Sequence, residues 1–359
     1  MKADPRYHAC IIAGGSGERL WPMSRSGAPK HLLRLFSERT LLEETILRLK
    51  GVVPDGNIWI ITGEAQVALI QAAVPWFPRD HIVGEPVKRD TAPAAALATG
   101  LIRARDPEGV LALLPADARI KDTKRFGEQL SQAFAWAGGK GRGGESLLTF
   151  AVPASYAATG FGYMELGPEL TKGSDGSRLM SVKRFVEKPD EATAREYLAA
   201  GNFAWNSGIF VWSVARFVTE AGNAAPELAD FVRDFPAGDP SRFLAERFAS
   251  LKRVSVDYAI LEKAKSVATV LADFDWDDVG AWTSLPKHLA VDASGCVLRG
   301  SVFATGSSNT IAVSNGRVIA LCGVKDLVVV ETADAVLVCH RDAVQDIKKL
   351  LPQLPGELK

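Results

Sequence analysis

Residues 10–33 read CIIAGGSGERLWPMSRSGAPKHLL. An apolar run breaks into three glycines (Gly14, Gly15, Gly17), then into Arg19, Arg25 and Lys30. Buried strand, glycine turn and cations in this order describe a phosphate-holding loop after the first strand of an α/β sheet. Two familiar loops fail to fit. A Walker loop needs Gly-Lys followed by Ser or Thr, and none follows here. A dinucleotide fingerprint needs a third glycine where Leu20 stands, and Pro22 falls where its helix would run. What remains suits a triphosphate: close backbone approach at the glycines, bidentate grip from Arg19 and Arg25, and a point charge at Lys30. A glycine turn followed by a solvated basic loop is the alternative reading.

Working outward, apolar strand-like runs at 7–13, 57–62, 109–115 and 146–152 alternate with helical patterns at 40–49, 63–73, 91–105 and 122–137. Near-continuous apolar strands between helices predict an α/β fold with parallel strands covered on both faces. Thr91 and Asp122 are the expected N-caps, with Pro93 in a first turn. Residues 138–144, GGKGRGG, are an expected linker. Further elements are expected at 190–200, 207–212, 213–222 and 257–264. After about residue 289 helical periodicity stops. Short strands follow at 296–304, 309–313, 317–322, 327–331 and 335–340, then a closing helix at 341–351. This pattern predicts a β-helix turn or a small sandwich. The expected domains are 1–288 and 289–359.

The chain has 359 residues, 47% hydrophobic and 23% charged, with formal net charge zero. Long-range attraction to nucleic acid or an anionic membrane is therefore not expected. The N-terminal apolar run is too short for a signal segment and no stretch reaches ~18 apolar residues, so a cytoplasmic location is the expectation. Four cysteines without CxxC spacing, and five scattered histidines, give no zinc or disulfide framework.

GGSGERLWPMSRSGAPKHL resembles the signature of sugar-nucleotidylyltransferases, and its RLWPMSR wording is similar to the mannose-1-phosphate guanylyltransferase branch of that family. Two departures stand out: Glu18 replaces a usual Thr or Ser, and PKHL replaces PKQF. Further segments resemble the family in order. They are GEPVKRDTAPAAALA (84–98), LLPADARI (113–120), ATGFGYMEL (158–166), FVEKP (185–189), WNSGIF (205–210), SVDYAILEK (255–263) and WDDVGAWTSL (276–285). The tail from KDLVVVE onward resembles the family's C-terminal region. The isomerase domain that some relatives carry after this region is not expected here.

The resemblance implies a Rossmann-like nucleotidyltransferase domain with a mostly parallel sheet, plus a small C-terminal β-rich, short left-handed β-helix-like domain. It implies transfer of GMP from GTP to mannose 1-phosphate, giving GDP-mannose and pyrophosphate. Catalysis would fall to Arg19 and Lys30. Ala13, Gly14, Gly15, Gly17, Glu85, Thr91, Ala92, Pro93 and Asp117 would bind nucleotide with them. Glu85 would accept hydrogen bonds from a guanine edge. Gly160, Glu187, Lys188, Asn206 and Gly208 would bind the sugar phosphate, with Asn206 both donating and accepting and Gly208 leaving space. Asp117 and Asp278 would hold Mg²⁺, with Asp277 a neighbouring competitor. Asp257 reads as the N-cap of the helix that follows it. A homodimer is expected, paired through the β-rich tail. The rivals are a transferase for another sugar or base, such as glucose 1-phosphate with dTTP or UTP, and a catalytically silent subunit of the same fold.

Overall fold

The computed structural model describes residues 3–15, 17–139 and 141–359. Ser16 of the glycine loop and Lys140 of the expected linker lie outside them. The strands are β1 (Tyr7–Ala13), β2 (Ile58–Gly63), β3 (Ile82–Glu85), β4 (Val110–Pro115), β5 (Leu147–Pro153), β6 (Tyr163–Lys172), β7 (Arg178–Val186), β8 (Phe203–Ser213), β9 (Val267–Leu271), β10 (Val297–Arg299), β11 (Val302–Thr305), β12 (Ile311–Val313), β13 (Ile319–Cys322), β14 (Leu327–Glu331) and β15 (Val336–His340). The helices are α1 (Leu41–Arg48), α2 (Val67–Ala73), α3 (Thr91–Arg103), α4 (Thr123–Ala137), α5 (Glu191–Ala200), α6 (Val214–Ala224), α7 (Pro226–Asp234), α8 (Ser241–Arg247) and α9 (Ile347–Leu350). No helix among the described residues is long and apolar enough to cross a membrane.

The chain divides into two compact units. One unit holds residues 1–14, 45–116 and 120–276. The other holds 15–44, 117–119 and 277–359. The boundary expected at 288/289 marks the start of the β-rich texture. The unit that contains it also takes in the glycine-rich loop.

In the first unit a nine-stranded sheet runs β3-β2-β1-β4-β8-β5-β9-β7-β6. Its β3-β2-β1-β4 part is parallel. The strands there are buried on both faces because helices cover both, which explains their unbroken apolar sequences. Strand order reverses between β1 and β4, the place where open α/β sheets bind ligands beyond their carboxyl ends. Beyond β4, β8 joins antiparallel to both β4 and β5, while β5 and β9 are parallel. Helix α3 is buried along nearly its whole length because small residues, Ala92, Ala94, Ala95, Ala96, Ala98 and Gly100, let neighbours approach closely.

Two capping expectations differ in outcome. Asp122 caps α4, accepting from the Arg125 N–H. The cap of α3 is Asp90, not Thr91: the Asp90 carboxylate accepts from the Thr91 N–H at 2.7 Å. Thr91 is the first helical residue, and its hydroxyl accepts from the Val256 N–H at 2.9 Å instead. Strands β6 and β9 and helices α7 and α8 escaped the sequence pattern. Strand β6 has a largely half-exposed outer stretch with charged residues and glycine, so its alternation is weak.

In the second unit β10, β12 and β14 stack in parallel, as do β11 and β13. Val297, Ile311 and Val328 occupy successive rungs, which makes this segment a β-helix rather than a sandwich. Strand β15 closes it antiparallel to β14. Its apolar core includes Leu20, Trp21, Leu33 and Leu35 from the glycine-loop segment, together with Trp282, Ile311 and Val330. Polar contacts strengthen that attachment. The Trp282 indole donates to the Trp21 carbonyl at 3.0 Å, and the Trp21 indole donates to the Leu358 carbonyl at 2.8 Å. Arg25 forks onto the Asp334 carboxylate at 2.6 and 2.7 Å and also reaches Thr332 and the Pro22 carbonyl. Arg25 is therefore occupied as an anchor of the loop. The expected phosphate grip from this residue is corrected: four of its hydrogen-bonding contacts go to the protein.

Trp282 is fully buried, so Trp282→Ala should cost about 3–5 kcal/mol. If the loop is part of this unit, limited proteolysis will show new cuts between residues 15 and 44 in that variant. Cuts confined to 296–340 would separate loop from β-helix.

Candidate functional site

The second unit holds Arg19 and Lys30. Lys30 opens a single 3-10 turn after Pro29 and is only 7% exposed. Its ammonium lies 2.8 Å from Asp117 Oδ2 and donates to the Asp278 backbone carbonyl. Gly17 explains how the lysine stem fits. Its φ is 62°, and a Cβ there would lie 2.5 Å from Lys30 Cβ and 2.7 Å from Ser24 Oγ. A side chain at 17 would push the lysine out of its place. Glu18 is exposed, pointing its charge away from this packing. Arg19 is half-buried and donates to Gln345 Oε1 at 3.0 Å.

The two adjacent aspartates differ sharply. Asp277 Oδ1 accepts from the Val279 N–H at 2.6 Å, and Lys287 and His288 lie 3.1 and 3.3 Å from its Oδ2. Its backbone also pairs with Arg119 in both directions. Burial alone would raise the Asp277 carboxyl, but His288 and the Val279 N–H hold it below the usual carboxylate range. Asp277 is thus consumed by local structure. The Asp278 carboxyl is raised by burial, with Asp277 and Asp117 adding to the rise and Lys30 and Arg19 opposing it. Between Asp278 and Gly280, Val279 takes φ 49°, a rare conformation for a β-branched residue.

His31 occupies the position that distinguishes PKHL from PKQF. It is almost fully buried, its Nε2 has no hydrogen-bond partner, and burial pushes it down to about 4. It is a neutral imidazole at neutral pH.

Apart from Gly15, which lies in the second unit, the first unit holds the remaining expected residues. Ala13 ends β1, and its carbonyl accepts from Thr62 Oγ1 at 2.7 Å; Gly14 follows, half-buried. Glu85 ends β3, 9% exposed, with Oε1 buried and unpartnered. Burial pushes its carboxyl up to about 7. A buried acceptor without a donor is costly unless a ligand supplies one. Ala92 and Pro93 lie in the first turn of α3.

Glu187 and Lys188 follow β7. Lys188 adopts φ 47° and its ammonium sits 2.6 Å from Glu187 Oε1. Burial lowers the Lys188 ammonium's affinity for its proton, but Glu187, Asp257 and Asp90 together outweigh that and raise it. Glu187 fits because residue 162 is glycine: a Cβ there would lie 2.5 Å from Glu187 Oε2. Gly162, not Gly160, is the crowded glycine of the ATGFGY segment; a Cβ at Gly160 meets nothing within 4 Å. Gly208 likewise has open space, and its glycine is required by φ 71° rather than by crowding.

Asn206 lies in β8 with its amide held on both sides. Its Oδ1 is 2.7 Å from Thr149 Oγ1 and accepts from the Gly208 N–H at 3.3 Å. Its Nδ2 donates to Asp257 Oδ1 at 3.0 Å. The expectation that Asn206 both donates and accepts is corrected to a donor with one N–H left over. Asp257 does not cap a helix: it is the first residue of a short π-helix, Asp257–Leu261, whose flanking cap makes no side-chain bond. The sequence offered a local role for this aspartate, and the structure gives it a distant partner 51 residues away.

The sequence pattern of the nucleotidyl transferase family matches residues 8–294, and that of the MannoseP isomerase/GMP-like beta-helix domain matches 286–354. The mannose-1-phosphate guanylyltransferase of Escherichia coli K12 is 35% identical over 99% of this chain and 75% of its own length. The alginate biosynthesis protein AlgA of Pseudomonas aeruginosa is 36% identical over 97% of this chain and 72% of its own. A solved structure from Thermus thermophilus, described as a mannose-1-phosphate geranyltransferase, superposes with TM-score 0.85 at 30% identity, covering 97% of this chain and 99% of that one.

The sign of the Glu85 shift gives a test. A carboxyl raised in the folded state stabilises the fold below about pH 4.5 and loses that contribution as pH rises through about 7. Glu85→Gln should therefore melt higher than the parent at pH 8, with the gap closing toward pH 4.5. A gap independent of pH would show that Glu85 is not buried in this way.

Proposed function

The chain belongs to the nucleotidyl transferase family, in its mannose-1-phosphate guanylyltransferase branch, and on that premise we propose that it transfers GMP from GTP to mannose 1-phosphate. The products are GDP-mannose and pyrophosphate. The observation that carries this reading is the buried Lys30 ammonium on a glycine loop, flanked by Asp117 and Asp278.

The chemistry needs little from acid–base groups. The sugar phosphate is already an anionic nucleophile, and its difficulty is approaching a second anion. An oxygen of the sugar phosphate forms a bond to the GTP α-phosphorus as the bond to pyrophosphate breaks. Catalysis then reduces to position and charge neutralisation. Lys30 and Arg19 neutralise the triphosphate and the departing pyrophosphate. Backbone N–H groups at Gly14, Gly15 and Gly17 approach phosphate oxygens, with Ala13 beside them. The buried Glu85 carboxylate accepts from the N1–H and N2–H of guanine, donors that adenine lacks at the same edge, while Thr91, Ala92 and Pro93 line the base. Glu187 accepts from sugar hydroxyls, Asn206 donates to one, and Lys188 holds the sugar phosphate; Gly160 and Gly208 shape the loops around them.

Family members work with a divalent metal, and the reading here is Mg²⁺ on Asp117 and Asp278. Among the described residues no group of three or more His, Cys, Asp or Glu is arranged around a common point. Asp278, a carboxyl raised by burial and by the neighbouring charge of Asp117, fits this ion together with Asp117, the other ligands coming from phosphate and water. Bound there, it would add positive charge at the phosphates. A cytoplasmic homodimer belongs to the same reading, supported by the exposed apolar Phe303, Val318, Val336 and Val338 of the β-helix. So does a division of labour between a catalytic segment, 1–288, and a β-rich segment, 289–359.

Pyrophosphate release across a panel of nucleotides and sugar 1-phosphates, with and without Mg²⁺, tests the assignment. Preference for GTP with mannose 1-phosphate is expected. Preference for another pair would reassign the substrates, and GTP binding without turnover on any sugar phosphate would indicate a silent subunit. Lys30→Ala and Asp278→Asn should each lower kcat by about 10²-fold or more while remaining folded. Rates within a few-fold of the parent would remove the role given to that residue.

A further inference from the structure

We propose that Asp257 is a positioning residue of the sugar subsite, fixing the Asn206 amide so that one N–H faces a sugar hydroxyl. The inference rests on the function proposed above and deepens its sugar half.

An asparagine amide is nearly symmetric in shape, and only its hydrogen-bond partners decide which end is which. Here the partners leave one solution. The Gly208 N–H, which can only donate, lies on the oxygen side at 3.3 Å, with Thr149 Oγ1 at 2.7 Å, its single proton also within reach of the Ile209 carbonyl at 2.9 Å. Asp257 Oδ1 lies on the nitrogen side at 3.0 Å. The reversed amide would set its oxygen against the Asp257 carboxyl and its NH₂ against the Gly208 N–H. One N–H of Nδ2 is used by Asp257, and one remains. Asn206 therefore reads an acceptor, such as the lone pair of a hydroxyl, while the Glu187 carboxylate reads hydroxyl donors.

Asp257 is held in place from the far side of the same unit. The Val254 N–H donates to the Arg89 carbonyl at 3.3 Å, the Ala92 N–H to the Val254 carbonyl at 3.1 Å, and the Val256 N–H to Thr91 Oγ1 at 2.9 Å. The segment entering Asp257 is thus tied to the start of α3. Thr91 thereby acquires a definite role, fixing the backbone that presents Asp257. The charged groups acting on Asp257 are Glu187, Lys188 and Asp90. Burial, then the charge of Glu187, pushes the Asp257 carboxyl up to about 7, with Lys188 opposing. A carboxyl kept at that cost, 9% exposed and capping no helix, is accounted for by its bond to Asn206.

Steady-state kinetics of the full chain with GTP and mannose 1-phosphate tests this. Asp257→Ala should raise KM for the sugar phosphate about tenfold or more, with KM for GTP within twofold. Asp257→Asn keeps an acceptor for Nδ2 and should recover most of the loss. If Asp257→Ala does not fold, Thr149→Val removes the opposite clamp and should give the same selective rise, with Thr149→Ser recovering it. An unchanged sugar-phosphate KM, an equal rise in both KM values, or no recovery in the conservative variants would overturn the proposal. Absence of turnover in the parent would instead strike the function on which it rests. If the parent prefers another sugar 1-phosphate, the same comparison is read with that substrate.

Discussion

An ammonium taken out of water has to be neutralised where it sits. Lys30 is that ammonium, and much of its unit is arranged around it. Asp117 supplies the opposite charge and the Asp278 carbonyl a second acceptor. Removing one partner of such a pair costs about 3–5 kcal/mol, so the surrounding chain is constrained to keep both. Gly17 leaves the space through which the lysine stem passes. Val279 accepts an unfavourable φ beside Asp278. Asp277 takes up Lys287 and His288, leaving the charge on Asp278 to face Lys30. A triphosphate arriving at this place would meet a cation already oriented.

The residues proposed to face the sugar obey a complementary constraint. Three carboxylates (Asp90, Glu187 and Asp257) interact with one lysine, Lys188. Burial raises Asp257, while Glu187 is held against Lys188. The result is a set of acceptors suited to hydroxyl donors, with the fixed Asn206 amide as the complementary donor. Asp90 and Lys188 both have positive φ in non-glycine residues, so backbone strain gathers beside the groups proposed to face the sugar.

The legible parts of this chain are those in which neighbouring residues decide the outcome. Strands β1, β2, β4 and β5 announced themselves because burial on both faces demands unbroken apolar sequence. The stacked short strands of the tail announced themselves by spacing, although only their parallel pairing distinguishes a β-helix from a sandwich. Arg25 could not be read correctly because its partner, Asp334, is 309 residues away. Asp257 failed for the same reason, since its partner is reached only when β8 and the π-helix come together. Thr91 was misplaced by one position: Asp90 is the better cap but needs a positive φ that sequence does not display. The membership of residues 15–44 in the β-helix unit follows from Trp21 and Trp282, whose indoles look like ordinary core in a linear sequence.

The central claim is that this protein works by neutralising and positioning two phosphates, with no side chain ever joined to the nucleotide. The stereochemical course at the α-phosphorus tests it most directly. A single diastereomer of α-thio-GTP, turned over with mannose 1-phosphate, should give α-thio-GDP-mannose with inverted configuration, because one direct displacement inverts the centre. Retention would require two displacements and a covalent nucleotidyl intermediate, and would contradict the account.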